Sequence, residues 1–379
     1  MYLADLLAYA DIHHLNRIAR QYECECSHHS KNDLIQSILS AMHRRDVLEK
    51  AVQSMSLEEM RFLNAILFDK RNAFSLEELT VWAKQTRFPQ EAQGAGGGEE
   101  ISPRDTIAKF QRLGWLFNGH SPQTKYLITV PEDIKRKICD SLARRFRERL
   151  IRTDAPEVYR DEHDFLLGDI LNFLDFVHRH EVLLTSDGYM YKRQLHQLLQ
   201  SLQVAEQPVA RGGWRFGYGR RFKEYPDRFS LIYDYCYYHQ YIAEEEHALR
   251  LTERGEEALA RGRKESPLDV YRFWIRLYKG PVRNIQAIVQ WICILADEWV
   301  SAASLGEVLC PLIRPYYYDS ADSILNQRIL AMMMHQGLLR MGQHGEYGAV
   351  VQVTRRGAEV VNGTYVEEND RIDLPPEQS

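Results

Sequence analysis

Two stretches in the C-terminal half of the chain carry the same phrase, and it constrains the fold more than any other feature. Thr252, Arg254, Gly255 and Glu257 align with Thr354, Arg356, Gly357 and Glu359, and each phrase closes on a glycine, Gly262 or Gly363. Both follow a β-type run. A threonine there caps a short terminal helix, the glycine eases the turn where strand meets helix, and the apolar pair that follows packs back on the core. Self-similarity of this kind marks tandem structural units. It identifies a fold and brings no chemistry of its own.

Read backwards from the two phrases, the same order of elements recurs. The second unit runs through a helix in FLLGDILNFLDFVHRH, the phrase LLTSDG, a helix in KRQLHQLLQSL, a long loop, and DRFSLIYDYCYYHQYI, which its aromatic runs place as a hairpin. The third runs through NIQAIVQWICILADEW, SLGEVLCPLI and SILNQRILAMMMHQGLLRM to a closing hairpin. A first unit lacks the phrase but keeps the order. Ser56 with Glu59 and Ser75 with Glu78 are capping boxes that predict helices over 56–68 and 75–86. Pro103 suits the first turn of a helix over 104–113. GWLFNGHSPQTKYLITVP then reads as two strands around a turn.

The expected fold is therefore mainly α with small β-hairpins (α+β): an N-terminal helical module, then three winged-helix-like units, three helices followed by a hairpin being the winged-helix order. The boundaries fall at 1–50 for the module and at 51–153, 154–265 and 266–365 for the units. A Gly-rich loop at 89–102 lies in the first unit, and 366–379 reads as a flexible tail. In the module, Asp11 opens a helix with Ile12, Leu15, Ile18 and Ala19 at helical spacing. Ser30 with Asp33 opens another with Leu34, Ile35, Ile38 and Leu39.

At 379 residues, with 45% hydrophobic and 27% charged residues, the chain is long enough for several cores and ordinary enough to fold throughout. A formal charge of −5 supplies no global field for nucleic acid, so any such contact must be local. Six scattered cysteines do not form a disulfide framework, the N-terminus lacks a signal-peptide pattern, and no apolar run has membrane length. The expectation is a cytoplasmic protein without a membrane partner.

Several phrases carry resemblances. LNRIARQYECECSHHSKNDLIQSILSAM is similar to SAP and Rho-N type modules. KYLITVPEDIKRKI, LGDILNFLDFVHRHEVLLTSDGYMYKRQLHQLL and RFSLIYDYCYYHQYI with LTERG resemble the helicase-associated N-terminal region of bacterial proteins related to XPB-type helicases, over roughly residues 57 to 363. The resemblance implies winged-helix DNA binding, or docking on a partner, in repair, replication or transcription. The chain departs from a helicase in one respect: it has no GxxxxGK[ST] loop to hold nucleotide phosphates, so no motor is expected.

Catalytic signals are thin. There is no GxSxG elbow and no HExxH, and no spacing sets a nucleophile beside a base. Cys24, Cys26, His28 and His29 crowd one short connector that wraps an ion poorly, so neither a metal nor a cofactor is expected. The strongest binding signal is RGGWRFGYGRRFK, where Arg211, Arg215, Arg220, Arg221 and Lys223 alternate with Trp214, Phe216, Tyr218 and Phe222. Cations would neutralise phosphates while rings stack on bases. The alternative is a loop whose rings fold onto the core and whose arginines pair with neighbouring acids.

Further cations sit at Arg104, Lys109 and Arg112 on the first unit's third helix, at Lys125 on its wing, and at Lys192 and Arg193 after LLTSDG. A basic helix over 135–152 suits either a phosphate backbone or a solvated linker. The third unit, with Trp291, Trp299 and Met332 to Met334, suits protein contact. The functional expectation is a non-catalytic, DNA-binding or helicase-associated accessory protein, with single- or double-stranded DNA and a helicase, nuclease or other protein as partners. The competing expectation is a scaffold that docks a protein without touching DNA.

Overall fold

The computed structural model describes residues 1–27, 29–88, 102–121, 123–209, 216–262, 264–367 and 369–372. The fold is mainly α with small antiparallel sheets, in two compact units, Met1–Arg149 and Leu150–Ser379.

The first unit opens with α1 (Leu3–Tyr9), α2 (Ile12–Gln21), α3 (Lys31–His43) and α4 (Arg45–Gln53), continues through α5 (Leu57–Leu67), β1 (Ala73–Ser75), α6 (Leu76–Gln85) and α7 (Pro103–Arg112), and closes with β2 (Phe117–Asn118), β3 (Leu127–Thr129) and α8 (Glu132–Arg147). Asp11, Ser30, Ser56 and Ser75 cap their helices as expected, each side chain accepting from the amide three residues on. The N-terminal helices are joined to the elements that follow by direct bonds. Tyr22 donates its hydroxyl to the Leu113 carbonyl at 2.7 Å, His14 bonds Gln111 at 3.1 Å, and Leu3 donates to Asp133 at 2.8 Å.

The second unit holds β4 (Tyr159–Arg160), α9 (Phe165–Arg179), β5 (Val182–Leu183), α10 (Lys192–Ser201), α11 (Asp227–Tyr238), β6 (Ile242–Glu245), β7 (Ala248–Leu251) and α12 (Glu253–Arg261). Then come α13 (Pro267–Tyr278), α14 (Ile285–Leu295), β8 (Val300–Ser301), α15 (Ala302–Leu309), α16 (Ala321–Ser323), a π segment (Ile324–Leu330), α17 (Ala331–His335), β9 (Leu339–His344), β10 (Gly348–Val353) and α18 (Arg355–Gly363).

Three repeats emerge, each a helix, a short strand, two helices and a hairpin. In each sheet the last strand lies in the middle: β1-β3-β2, β5-β7-β6 and β8-β10-β9, the third extended by β4 on its edge. The helix-to-hairpin turn is identical in all three. Gly114, Gln240 and Gly337 take positive φ (65°, 59° and 69°). The next amide reaches back to the third-last helical carbonyl: Trp115 to Phe110 at 3.0 Å, Tyr241 to Cys236 at 2.8 Å and Leu338 to Met333 at 2.8 Å. This is a Schellman closure, which satisfies orphan carbonyls and turns the chain sharply into the strand.

Three expectations are corrected. DRFSLIYDYCYY is the helix α11, and the hairpin begins only at Ile242. Arg228 to Cys236 are buried without a break, so the run has no polar face to reveal a helical period. The 366–379 tail is anchored at its start: Val366 is buried, and Asp370 pairs with Arg276 at 2.6 Å. The glycine of the repeated phrase serves close approach more than turning, because a Cβ on Gly255 would collide with the Tyr241 carbonyl and one on Gly357 with the Leu338 carbonyl. The threonines behave as read, Thr252 capping Gly255 at 3.1 Å and Thr354 capping Gly357 at 2.9 Å. The first compact unit ends at Arg149, and the second and third repeats share the other. The Gly-rich stretch 89–101 lies outside the described residues.

These glycines give a direct test. Gly255→Ala and Gly357→Ala should each lower stability by about 1–3 kcal/mol, since backbone has to give way. Gly345→Ala, where an added Cβ meets nothing within 4 Å, should be near neutral. Urea denaturation of the three variants measures the difference.

Candidate nucleic-acid interface

A helix that reads nucleic acid must show a polar face to solvent, and the three repeats differ in this. The third helix of the second repeat, α11, is buried from Arg228 to Cys236. Its counterpart in the third repeat is scarcely freer, with Ile324, Leu325, Arg328, Ile329, Leu330 and Met332 to Met334 all buried. In the first repeat only Ile107 and Phe110 of α7 are buried, and Arg104 and Arg112 are exposed with no ion pair among the described residues. Lys109 is spent differently, its ammonium held by Glu59 at 2.6 Å.

The hairpin of the same repeat adds a third exposed cation. Lys125 sits 4.7 Å above the Tyr126 ring, which is 75% exposed. The turn beneath it is tight: Ser121 and Thr124 share a hydroxyl bond at 2.8 Å, and Lys125 donates its amide to the Ser121 carbonyl at 2.8 Å. His120 stacks on Tyr9 at 4.0 Å and 10°, tying the hairpin to α1. Tyr126 is absent from the sequence-based candidates because TKYLITV looks like core strand throughout. The signal was its place beside Lys125, at the turn end of the strand.

The aromatic-basic loop is resolved by its partners. Arg211, Trp214 and Arg215 lie outside the described residues. Phe216, Tyr218 and Phe222 are buried. Arg220 stacks over Tyr237 at 3.7 Å and pairs with Glu244 at 3.0 Å. Arg221 reaches the same carboxylate at 2.7 Å and the Asp187 carbonyl at 2.9 Å. Tyr218, Arg220 and Arg221 are thus placed in packing and pairing roles, away from solvent, while Lys223 is exposed. Glu244, on a strand beyond the next helix, could not be matched to them by spacing.

The basic helix is likewise neither free nor a linker. Burial depresses the Lys135 ammonium against the pull of Asp69, whose carbonyl accepts from it; Arg144 pairs with Glu49 at 2.9 Å and Arg145 donates to the Val52 carbonyl at 2.8 Å. Lys192 and Arg193 are exposed on the first turn of α10. Among the described residues no group of three or more His, Cys, Asp or Glu side chains is placed to hold a metal ion; His28 lies outside them. No described helix is long and apolar enough to cross a membrane.

Behind the loop, Asp234 is wholly buried and accepts the Arg220 amide at 3.1 Å. Burial pushes its carboxyl up to about 7, against the opposing pull of Arg220 and Arg221. Glu206 is also raised to about 7 by burial, although Arg228 lies near. Compared with family models, with curated proteins and with solved structures, the chain finds no match.

The raised carboxyls set a pH dependence whose sign follows from proton counting. Between about pH 4 and 7 the native state holds a proton on Asp234 that the unfolded chain has released, so stability falls as pH rises through that window. The contribution is on the order of 2 kcal/mol between pH 5 and pH 7. Asp234→Asn should flatten the fall, leaving the part due to Glu206; urea midpoints at the two pH values give the comparison. An unchanged slope in the variant would refute the assignment.

Proposed function

We propose that this chain is a non-catalytic nucleic-acid-binding accessory protein built on tandem winged helices, in which the first repeat meets DNA and the second and third form a structural block. The observation that carries the reading is the contrast between the third helices. Only α7, among the described residues, combines a third helix with exposed, unpaired arginines and a wing bearing an exposed cation and ring. Phosphate contacts of this kind supply affinity without sequence readout. The three-helix-and-hairpin order of all three repeats supports the winged-helix assignment. With the resemblance to helicase-associated regions, the reading extends to work beside a helicase or nuclease in the cytoplasm.

Two observations favour a second reading, in which the protein docks a partner without DNA. Two of three repeats have their third helices enclosed, and the net charge is −5. A stoichiometric complex that survives nuclease treatment would favour it.

Arg104→Ala, Arg112→Ala and Lys125→Ala combined should weaken binding to double-stranded DNA and reduce the slope of log affinity against log salt by about 2–3, near one counterion per lost contact. Because all three side chains are exposed, the melting temperature should hold. Anisotropy titrations at several salt concentrations provide the measurement. Wild-type protein that binds neither single nor double strands at low salt would transfer the case to the docking reading.

A further inference from the structure

The sequence RPYYYDS makes a turn on the second compact unit that neither the fold nor the first repeat's interface explains. Tyr316 and Asp319 exchange both backbone hydrogen bonds, at 3.0 and 2.9 Å, leaving Tyr317 and Tyr318 as a two-residue tip. Tight turns of this kind favour glycine or asparagine where φ is positive. Tyr317 has φ 48°, a conformation that bulky side chains rarely adopt. Both rings face solvent, Tyr317 80% and Tyr318 72% exposed, and no described large apolar side chain is more exposed than Tyr317. A bulky residue at this φ carries backbone strain that a glycine would avoid.

The tip is held rigidly from beneath. Buried Arg328 donates to Asp319 at 3.0 Å and to the Phe216 carbonyl at 2.5 Å, and Ser323 donates to the other Asp319 oxygen at 3.0 Å. Phe216 lies under the turn, its centroid 6.2, 6.3 and 6.0 Å from those of Tyr316, Tyr317 and Tyr318. A ring fixed in this way loses little entropy when a ligand covers it. Arg314, three before the tip, is exposed and unpaired among the described residues, and exposed Lys223 follows Phe222, whose ring also meets Phe216. Asp319 and Asp227 are held by Arg328 and Asp322 accepts from Asn326, while Glu224 is exposed.

We propose that the Tyr317–Tyr318 tip is a stacking site for unpaired bases of a single-stranded nucleic acid, with Arg314, three residues before it, for a backbone phosphate. Exposed rings with adjacent cations are the chemistry by which single strands are held without sequence preference. The exposed charge of Arg314 in the same turn favours a phosphate-bearing ligand over an apolar protein hot spot. The proposal rests on the reading that the protein meets nucleic acid, but it concerns a different repeat and a different form of the ligand.

The test replaces Tyr317 by glycine, which accepts the positive φ and removes the ring. Tyr317→Gly should hold or raise the melting temperature while weakening binding to an oligothymidylate roughly tenfold, the loss expected for one stacked base. Affinity for a duplex and the salt slope should be unchanged, and Tyr317→Phe should bind oligothymidylate like wild type. Undiminished oligothymidylate binding by a Tyr317→Gly/Tyr318→Gly protein overturns the proposal. If the Arg104/Arg112/Lys125 variant loses both ligands while the tyrosine variants bind normally, the stacking site fails and the first-repeat interface stands. Wild-type protein that binds neither ligand defeats both.

Discussion

The second compact unit depends on a guanidinium with no access to water. Arg228, wholly buried, donates to Glu162 at 3.1 Å and to Asp169 at 2.6 Å. Glu162 also receives Arg160 at 2.5 Å and His335 at 3.0 Å. Burial works against the Glu162 charge, yet His335, Arg228 and Arg160 together hold its carboxyl below the ordinary range. Asp169 accepts the Gln203 amide at 2.7 Å, so the same cluster fixes the chain leaving α10. Buried charges of this sort cost more when one partner is removed than they contribute when intact. They therefore specify one arrangement of the two repeats and penalise every other.

That arrangement decides what the repeats can do. Arg228 and Arg328 lie on the third helices of successive repeats, and both are buried and paired with carboxylates inside the protein. A third helix tied in this way cannot enter a groove in DNA. The first repeat has its apolar stripe on one side of α7 only, and so keeps a polar face. The same order of elements thus yields a surface in one repeat and a core in the others.

Much of this fold was legible in the sequence because its punctuation is local. Capping boxes at Ser56 and Ser75 and the caps at Thr252 and Thr354 act over three residues, and each appears where spacing placed it. The short first strand of each sheet was not legible: two or three residues are too few for an alternating pattern. Helix α11 was hidden because burial on all sides erases periodicity. Candidate site residues were harder. Arg104, Arg112 and Lys125 are exposed where a helix and a turn put them, but the fate of Arg220 and Arg221 depended on Glu244, fixed by a tertiary contact. Tyr317 gave no periodic signal, and its meaning appears only with its backbone angle.

The edge strand β4 has a consequence for the order in which the protein is made. Tyr159 and Arg160 pair with Gly342 and Met341, and Asp161 holds Arg340 across 179 residues of chain. A ribosome delivers the first of these partners long before the last. While the second repeat emerges, Glu162 lacks His335 and β4 has no sheet to join, so the nascent repeat carries an open strand and part of a buried charge cluster. Until β9 leaves the exit tunnel those groups stay hydrated, and the unit closes only after β9 has been made.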